Sequence, residues 1–481
     1  MRIELPFFDA LPVAVLGLGR SGLAAARVLR DSGAEVWAWD DNEDVRARAR
    51  EDGIPIVDLH GCNWRELTTL VLSPGIPHSH PEPHPVAALA RKHGVEIIGD
   101  IELLARAQRN ARFLGVTGTN GKSTTTALIG HVLETAGRSV AIGGNLGIPA
   151  LELEPLDLEG IYVLEMSSYQ LELTLSITFD VAVLLNISPD HLERHGGFEG
   201  YVAAKRNIFR RQTKPRTAVI GVDDETCRGI CDALRAADEQ VMVPISGSGR
   251  VVGGVYAAEG VLYDETEGGP VPALDLREII GLPGAHNWQN AAAAFAACKA
   301  LGLQPAVIAA CLRSFPGLAH RQEALTVIDG VLYVNDSKAT NADAAAKALA
   351  CYDAIYWIAG GRAKDGGLGA LEPFHDRIVH AFLIGEAAET IAAALDGKVD
   401  HSICGDLETA VARARALATA DGRDHPVVLL SPACASFDRY PSFEVRGEAF
   451  RQLVAALPGD RQDPEVFAPA SPASGPEGPR A

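Results

Sequence analysis

Phe113-Leu-Gly-Val-Thr-Gly-Thr-Asn-Gly-Lys-Ser-Thr124 reads as an apolar strand, a glycine-rich turn and the opening of a helix. Backbone N–H groups in such a turn can cradle a β-phosphate, the Lys122 ammonium can reach β and γ oxygens, and the Ser123 hydroxyl suits Mg²⁺. The spacing is not the regular Walker A form, because Val116 stands five residues before Gly121 and the nearest glycines are Gly115 and Gly118. Strand, glycines and Lys-Ser-Thr in this order nevertheless point to ATP rather than to a chance Gly-Lys-Ser on a surface loop.

Outward from this unit, short apolar strands alternate with helix-length segments. Val13-Ala-Val-Leu-Gly17, Val36-Trp-Ala-Trp39, Leu70-Val-Leu72, Tyr162-Val-Leu164 and Val181-Ala-Val-Leu-Leu185 are apolar at successive positions. Strands of that kind are buried on both faces, so the expected class is α/β with parallel sheets covered by helices. Ser73 to Pro85 carries five prolines and must be loop. A first domain is expected over residues 1–100. Residues 101–314 form a central domain, with Gly247 to Gly269 as an excursion within it and an Ala-rich helix from about Asn287 to Leu301. After Phe315-Pro-Gly317 a new series of strands begins at Val331-Leu-Tyr-Val334, Ile355-Tyr-Trp-Ile358, Ala381-Phe-Leu-Ile384 and Val427-Val-Leu-Leu430, giving a third domain over 315–457. Residues 458–481 are Pro-, Gly-, Ala- and Ser-rich with few large apolar side chains, and are expected to be disordered.

Composition excludes more than it assigns. The 481 residues, at ~150 per domain, agree with three domains. The formal charge of −19 repels nucleic acid and anionic membrane surfaces, so neither is an expected partner. Eight scattered cysteines, with Cys227 and Cys231 the one close pair, match neither a redox nor a zinc pattern and read as reduced thiols of a cytoplasmic protein. No apolar run approaches the ~20 residues of a bilayer span, and no oligomer signature argues against a monomer.

Three further groups bear on chemistry. Gly17-Leu-Gly-Arg-Ser-Gly22 follows a strand, with Asp40 and Asp41 at the end of the next one, at about the ~20-residue spacing of dinucleotide sites. On the residues alone this leaves an NAD(P)-dependent oxidoreductase and a plain strand-to-helix turn both open. Glu165 ends the strand Ile161 to Leu164, where parallel sheets place ligands, and a carboxylate there suits Mg²⁺. His191 and His195 stand four apart, but His-Leu-Glu-Arg-His matches neither zinc-protease pattern. His78, His80 and His84 lie among prolines without clear acidic or thiolate partners, and a solvated loop is the expected reading.

Gly115-Val-Thr-Gly-Thr-Asn-Gly-Lys-Ser-Thr124, Leu164-Glu-Met-Ser-Ser-Tyr-Gln-Leu-Glu172, Asn186-Ile-Ser-Pro-Asp-His191 and Ala203-Ala-Lys-Arg206 together resemble the Mur ligase family of peptidoglycan synthesis. Four more stretches resemble its D-glutamate-adding branch: Gly317-Leu-Ala-His-Arg-Gln-Glu323, Asn335-Asp-Ser-Lys-Ala-Thr-Asn341, Gly360-Gly-Arg-Ala-Lys-Asp365 and Leu430-Ser-Pro-Ala-Cys-Ala-Ser-Phe-Asp438. The likeness runs from about Val13 to Leu457.

The resemblance implies a Rossmann-like N-terminal domain, a P-loop ATPase-like central domain and a Rossmann-like C-terminal domain. It also implies ATP-dependent joining of D-glutamate to UDP-N-acetylmuramoyl-L-alanine through an acyl phosphate. Gly118, Thr119, Asn120, Gly121, Lys122, Ser123 and Thr124 would hold ATP phosphates, with Asn287, Arg321 and Asp336 on the rest of the nucleotide. Ser123 and Glu165 would hold one Mg²⁺ and His191 a second. Lys205, which residue type alone would make a solvated helix lysine, matches the family lysine that is carbamylated. Lys122, Glu165, His191 and Lys205 are thus the implied catalytic set. Arg20, Ser21, Asp40, Asp41, Ser73, Gly75 and Asn145 are implied contacts of the UDP substrate, and Lys338, Thr340, Lys364, Ser436 and Phe443 of D-glutamate. Ala319 departs from the family, which usually has proline there. Another ligase of this family, or a folylpolyglutamate-type ligase, is the alternative, and Asn335 to Asn341 argues against the latter.

Overall fold

The computed structural model describes residues 2–145, 147–363 and 367–464. The chain forms two compact units. One comprises the chain up to Ala258 with Leu262–Ala273 and Gln289–Leu312; the other comprises Glu259–Val261, Leu274–Trp288 and the chain from Arg313 onward.

The first unit contains two sheets. Four parallel strands, in the order Glu35–Trp39, Pro12–Leu16, Thr69–Leu72 and Glu96–Ile98, make the N-terminal sheet. The central sheet has six parallel strands at its heart: Val140–Gly144, Ile161–Glu165, Arg112–Thr117, Val181–Leu184, Thr217–Gly221 and Val241–Ser246, in that order. It continues through Val255–Ala258, Val261–Asp264 and Val271–Asp275, so the expected excursion is strand-forming.

Burial explains why these segments are strands. Thr69–Leu72, Ile161–Glu165 and Val181–Leu184 are buried at every position, which only a sheet covered by helices on both faces achieves. The strand Arg112–Thr117 lies between Ile161–Glu165 and Val181–Leu184, on either side of which the chain winds in opposite directions. Ligands of open parallel sheets bind at such a reversal, beyond the C-terminal strand ends. That is where the glycine-rich turn stands.

In the second unit five parallel strands run in the order His401–Gly405, Ile378–Ile384, Ala354–Gly360, Pro426–Leu430 and Val331–Asn335. Glu323–Ile328 adds antiparallel to the last of them. Ala354–Gly360 is wholly buried, and the Trp357 indole N–H donates to the Ser431 carbonyl at 2.8 Å, tying the sheet centre to a loop at its C-terminal edge.

The three sheets hold strands over residues 12–98, 112–275 and 323–462, and the end of the last range corrects one expectation. Arg461–Gln462, assigned to a disordered tail starting at 458, pairs antiparallel with Val327 and Ile328. An unpaired edge strand offers backbone groups to any neighbouring segment, whatever that segment's hydrophobicity. Residues 465–481 of the expected tail lie outside the described residues.

Candidate functional site

The central glycine-rich turn is braced from behind by backbone and amide groups. Thr119 N–H donates to the Asn186 carbonyl (2.8 Å), Asn120 N–H to Asn186 Oδ1 (2.8 Å), and Asn186 Nδ2 back to the Asn120 carbonyl (3.2 Å). Gly121 caps the helix Lys122–Thr135 with φ +83°, and a Cβ there would lie 2.2 Å from Asn290 Oδ1. Only glycine fits both the left-handed backbone and that approach. Asn186 and Asn290 brace the turn and were not singled out in the sequence. Asn186 stood only as the first residue of a quoted motif, and Asn290 follows Asn287 by three in the Ala-rich helix.

Two lysines converge on this turn. Lys122 Nζ donates to the carbonyls of Gly118 (3.0 Å) and Thr119 (2.9 Å), and Lys205 Nζ donates to the same Gly118 carbonyl at 2.7 Å. Lys205 lies in the last turn of Phe198–Arg206, is 1% exposed, and has its ammonium 4.7 Å from the Tyr201 ring centre. Burial, and then the neighbouring Lys122 charge, bring its pKa down to about 7. An amine so placed is partly neutral near physiological pH, hence nucleophilic.

Glu165 pairs in register with Val116, one residue before the end of the strand that leads into the turn. Its Oε1 accepts from Asn145 Nδ2 at 2.9 Å, while Oε2 is buried without a hydrogen-bond partner. A buried carboxylate oxygen lacking a donor is a costly arrangement in water-free surroundings and a natural one beside a cation. Ser123 lies in the first helical turn, and Thr124 is buried behind it. His191 adopts φ +50°, is exposed, and lies with its ring centre 5.3 Å from that of Tyr169. Among the described residues no three His, Cys, Asp or Glu side chains gather as a metal cage. Mg²⁺ fits such a site when phosphate oxygens and waters complete its octahedron, with one or two carboxylates from the protein.

His195 does not join His191. It is buried, with Nδ1 2.9 Å from Glu172 Oε1 and Nε2 2.9 Å from Ser168 Oγ. Glu172 also meets His78 Nε2 at 3.1 Å. Burial works to raise the Glu172 pKa, but the two histidine contacts outweigh it and hold the carboxyl at about 2. The His78–His84 segment is a loop, as read from its prolines, and is exposed over residues 80–83, but the His78 and His84 side chains are largely buried against acidic partners. His84 Nε2 lies 2.8 Å from Asp41 Oδ2, and a Cβ on Gly196 would stand 2.9 Å from His80 Nε2. The acidic partners were distant in sequence.

At the N-terminal sheet, Gly17 takes φ +86° and a Cβ there would lie 2.6 Å from Ile76 Cδ1. Ser73 Oγ donates to its carbonyl at 2.9 Å. Asp40 accepts from Leu18 N–H (2.8 Å) and Asn42 N–H (2.9 Å), so its carboxylate closes the turn itself. Asp41 accepts from Trp39 Nε1 at 3.0 Å and stands more exposed. Arg20 donates to the Gly147 carbonyl, Ser21 reaches the buried Asp100 carboxyl, and Gly75 faces open space.

In the second unit, Asn287 is buried and donates from Nδ2 to the Pro283 carbonyl at 2.8 Å. Its neighbours His286 and Trp288, with Leu276, Leu332, Tyr352 and Phe374, line a mostly apolar cavity of about 370 Å³. Asp336 accepts from Ser431 Oγ (2.7 Å) and Gln322 N–H (3.1 Å), yet burial pushes its carboxyl up to about 7. Lys338 Nζ stands 5.6 Å from the Phe443 ring centre, and Thr340 N–H donates to the Lys338 carbonyl at 2.8 Å. Ser436 is 2% exposed and its Oγ is buried without a partner. Arg321 is half-buried. Lys364 and Asp365 lie outside the described residues.

Asp336 gives a pH test. A carboxyl whose folded pKa lies above its unfolded value, ~3.9, adds stability below that value, and the contribution is lost as pH rises to about 7. Asp336→Asn should therefore gain on the parent chain, by up to a few kcal/mol, between pH 4.5 and pH 8 in urea unfolding. A difference that stays constant with pH would contradict the assignment.

Comparison with known proteins bears on the whole chain. Residues 116–298 match the model of the Mur ligase middle domain. A protein of Rhodospirillum rubrum named UDP-N-acetylmuramoylalanine–D-glutamate ligase is 54% identical over 95% of this chain and 96% of its own length. One of the same name from Caulobacter vibrioides is 51% identical over 94% and 97%. Among solved structures, a UDP-N-acetylmuramate-alanine ligase from Thermotoga maritima superposes with a TM-score of 0.57 at 18% identity, covering 93% of this chain and 99% of that one, a likeness of fold.

Proposed function

Because the chain belongs to the Mur ligase family, we infer that it joins D-glutamate to UDP-N-acetylmuramoyl-L-alanine, with ATP converting the L-alanine carboxylate to an acyl phosphate. The observation that carries this reading is the meeting of Lys122 and Lys205 on the Gly118 carbonyl, beside a strand whose last residue, Glu165, keeps a buried oxygen unpartnered. The reaction sets phosphate against carboxylate, then amine against acyl phosphate, and both steps require concentrated positive charge in a protein of net charge −19.

Lys122 and the N–H groups of Gly118 to Thr124 bind and orient the phosphates at the helix N-terminus. Bound Mg²⁺ neutralises phosphate charge and polarises the transferring group; Ser123 and Glu165 would hold one ion and His191 a second. Lys205, as a neutral amine, adds to CO₂ with loss of a proton and becomes a carbamate. That replaces an ammonium beside Lys122 by an anion, which changes repulsion into attraction and supplies hard oxygen ligands. Asn145 orients the Glu165 carboxylate and contacts the muramoyl substrate. Arg20, Ser21, Asp40, Asp41, Ser73 and Gly75 form the UDP end, where Asp40 holds the glycine turn and Asp41 offers its exposed carboxylate.

The adenine is assigned to the apolar cavity beside Asn287, the ribose hydroxyls to Asp336 and the γ-phosphate to Arg321. Lys338, Thr340, Ser436, Phe443 and Lys364 would receive D-glutamate, with the unpartnered Ser436 hydroxyl as a ready donor to a carboxylate. All eight cysteines are free, and among the described residues no helix is long and apolar enough to cross a membrane. These features support a cytoplasmic enzyme, which we read as a monomer.

The test is phosphate release and product mass with UDP-N-acetylmuramoyl-L-alanine, ATP and Mg²⁺, offering D-glutamate, L-glutamate, L-alanine, L-lysine or diaminopimelate. Release with D-glutamate alone is expected. Ligation of another amino acid in its place would overturn the reading.

A further inference from the structure

Among the described residues Arg446 is the one fully buried arginine, and the ligation chemistry above does not use it. It opens the helix Phe443–Ala456, is 1% exposed, and none of its hydrogen bonds goes to a carboxylate. Its Nε donates to Ser337 Oγ at 3.0 Å. Nη2 donates to the carbonyls of Ser337 (2.9 Å) and Cys434 (3.1 Å), and Nη1 reaches the Gly360 carbonyl at 3.5 Å. Three loops therefore end on one guanidinium. They leave the C-terminal ends of Val331–Asn335, Ala354–Gly360 and Pro426–Leu430, three adjacent parallel strands in the middle of the sheet.

The loops are also locked to one another around it. Arg362 and Ala435 exchange backbone hydrogen bonds at 2.9 Å each way, and Ser337 Oγ donates to the Phe443 carbonyl at 2.8 Å. Gly361 takes φ +133°, where a Cβ would lie 2.2 Å from the Ala435 carbonyl oxygen and 3.1 Å from Arg446 Nη1. The approach of the second loop to the guanidinium thus requires glycine at 361.

We propose that Arg446 is a positioning residue for the amino-acid site, holding at one fixed spacing the loops that carry Lys338, Thr340 and Ser436 and the helix start at Phe443. The proposal rests on the assignment of those residues to D-glutamate. The physical reason is the match between donor and acceptors. A planar fork with five N–H groups can satisfy several carbonyls in fixed directions, whereas an ammonium is a point charge on a flexible stem. Burying a cation without a counter-carboxylate is costly unless backbone dipoles solvate it fully. Here three carbonyls and the Ser337 hydroxyl take its hydrogen bonds, and the Asp438 carboxylate acts on it only through space, so the guanidinium is held by the loops it joins. A dicarboxylate must meet donors at both ends at once, so a shift of about 1 Å in one loop is enough to lose binding.

The test compares Arg446→Lys and Arg446→Met with the parent enzyme in steady-state kinetics on each of the three substrates. Losing fixed charge-assisted hydrogen bonds should raise KM for D-glutamate by about 10-fold or more in both variants, with KM for ATP and for UDP-N-acetylmuramoyl-L-alanine within about 2-fold of the parent. At saturating D-glutamate much of kcat should return. A D-glutamate KM equal to the parent's, or three KM values that rise together, would overturn the proposal. Should the methionine variant not fold, the lysine variant decides, because it keeps the charge and most of the stem. If the parent enzyme ligates a different amino acid, the D-glutamate assignment fails first, and the same KM comparison on that amino acid still tests Arg446.

Discussion

Lys205→Ala is expected to lower the ligation rate by about 100-fold or more and to recover part of it when a short carboxylate such as acetate or formate is added. The expectation follows from position. Lys205 is 1% exposed, donates to the Gly118 carbonyl and has a pKa brought down to about 7, so its amine is available to CO₂ under conditions where a surface lysine is almost wholly protonated. Removing the side chain would remove the proposed carbamate, and a small anion can occupy the vacated space. Lys205→Arg should be as inactive as the alanine variant, because a guanidinium keeps the cation and forms no carbamate. Phosphate release at saturating substrates is the measurement. Near-parental turnover in unsupplemented Lys205→Ala would show that no carbamate is needed.

Lys122→Ala should be more severe, on the order of 1,000-fold in kcat/KM for ATP, since it removes the one side-chain cation of the phosphate turn. A second consequence distinguishes this residue from a simple binding contact. The Lys122 charge is one of the causes that depress Lys205. Without it the Lys205 pKa rises, less amine is neutral at a given pH, and the residual activity should respond more steeply to added bicarbonate and to higher pH than the parent's. The combination of a large loss with a shift of residual activity to higher pH is the expected signature. Parental phosphate release would refute the role of Lys122 outright.

The parts of this molecule that were legible in the sequence are those set by local patterns. A strand, a glycine turn and a helix start occupy a dozen consecutive residues, and the all-apolar strands follow from burial on both faces. Glu165 could be placed because a strand end is a local feature. Lys205 was legible only through resemblance, because nothing in Ala203-Ala-Lys-Arg206 tells that its helix packs over Gly118. Asn186 and Asn290 support the turn from 66 and 169 positions beyond Asn120 and Gly121, and no periodicity announces such contacts. Nothing in the sequence singles out Arg446; its burial exists only once three loops converge. His78 and His84 read as solvated for the same reason, since Glu172 and Asp41 reach them from far along the chain. Resemblance points to residues that composition and spacing do not single out, and their surroundings are what make the proposed roles chemically reasonable.

The short pairing of Arg461–Gln462 with Val327 and Ile328 bears on how this protein stays dispersed. Without it Glu323–Ile328 would be the rim of a six-stranded sheet, presenting open amides and carbonyls beside Val327 and Ile328 to any like strand. Two polar residues, one of them an arginine, close that rim at its most apolar point. A chain trimmed to Leu457 for convenience would keep every residue assigned to chemistry here and lose this guard, with self-association as the cost.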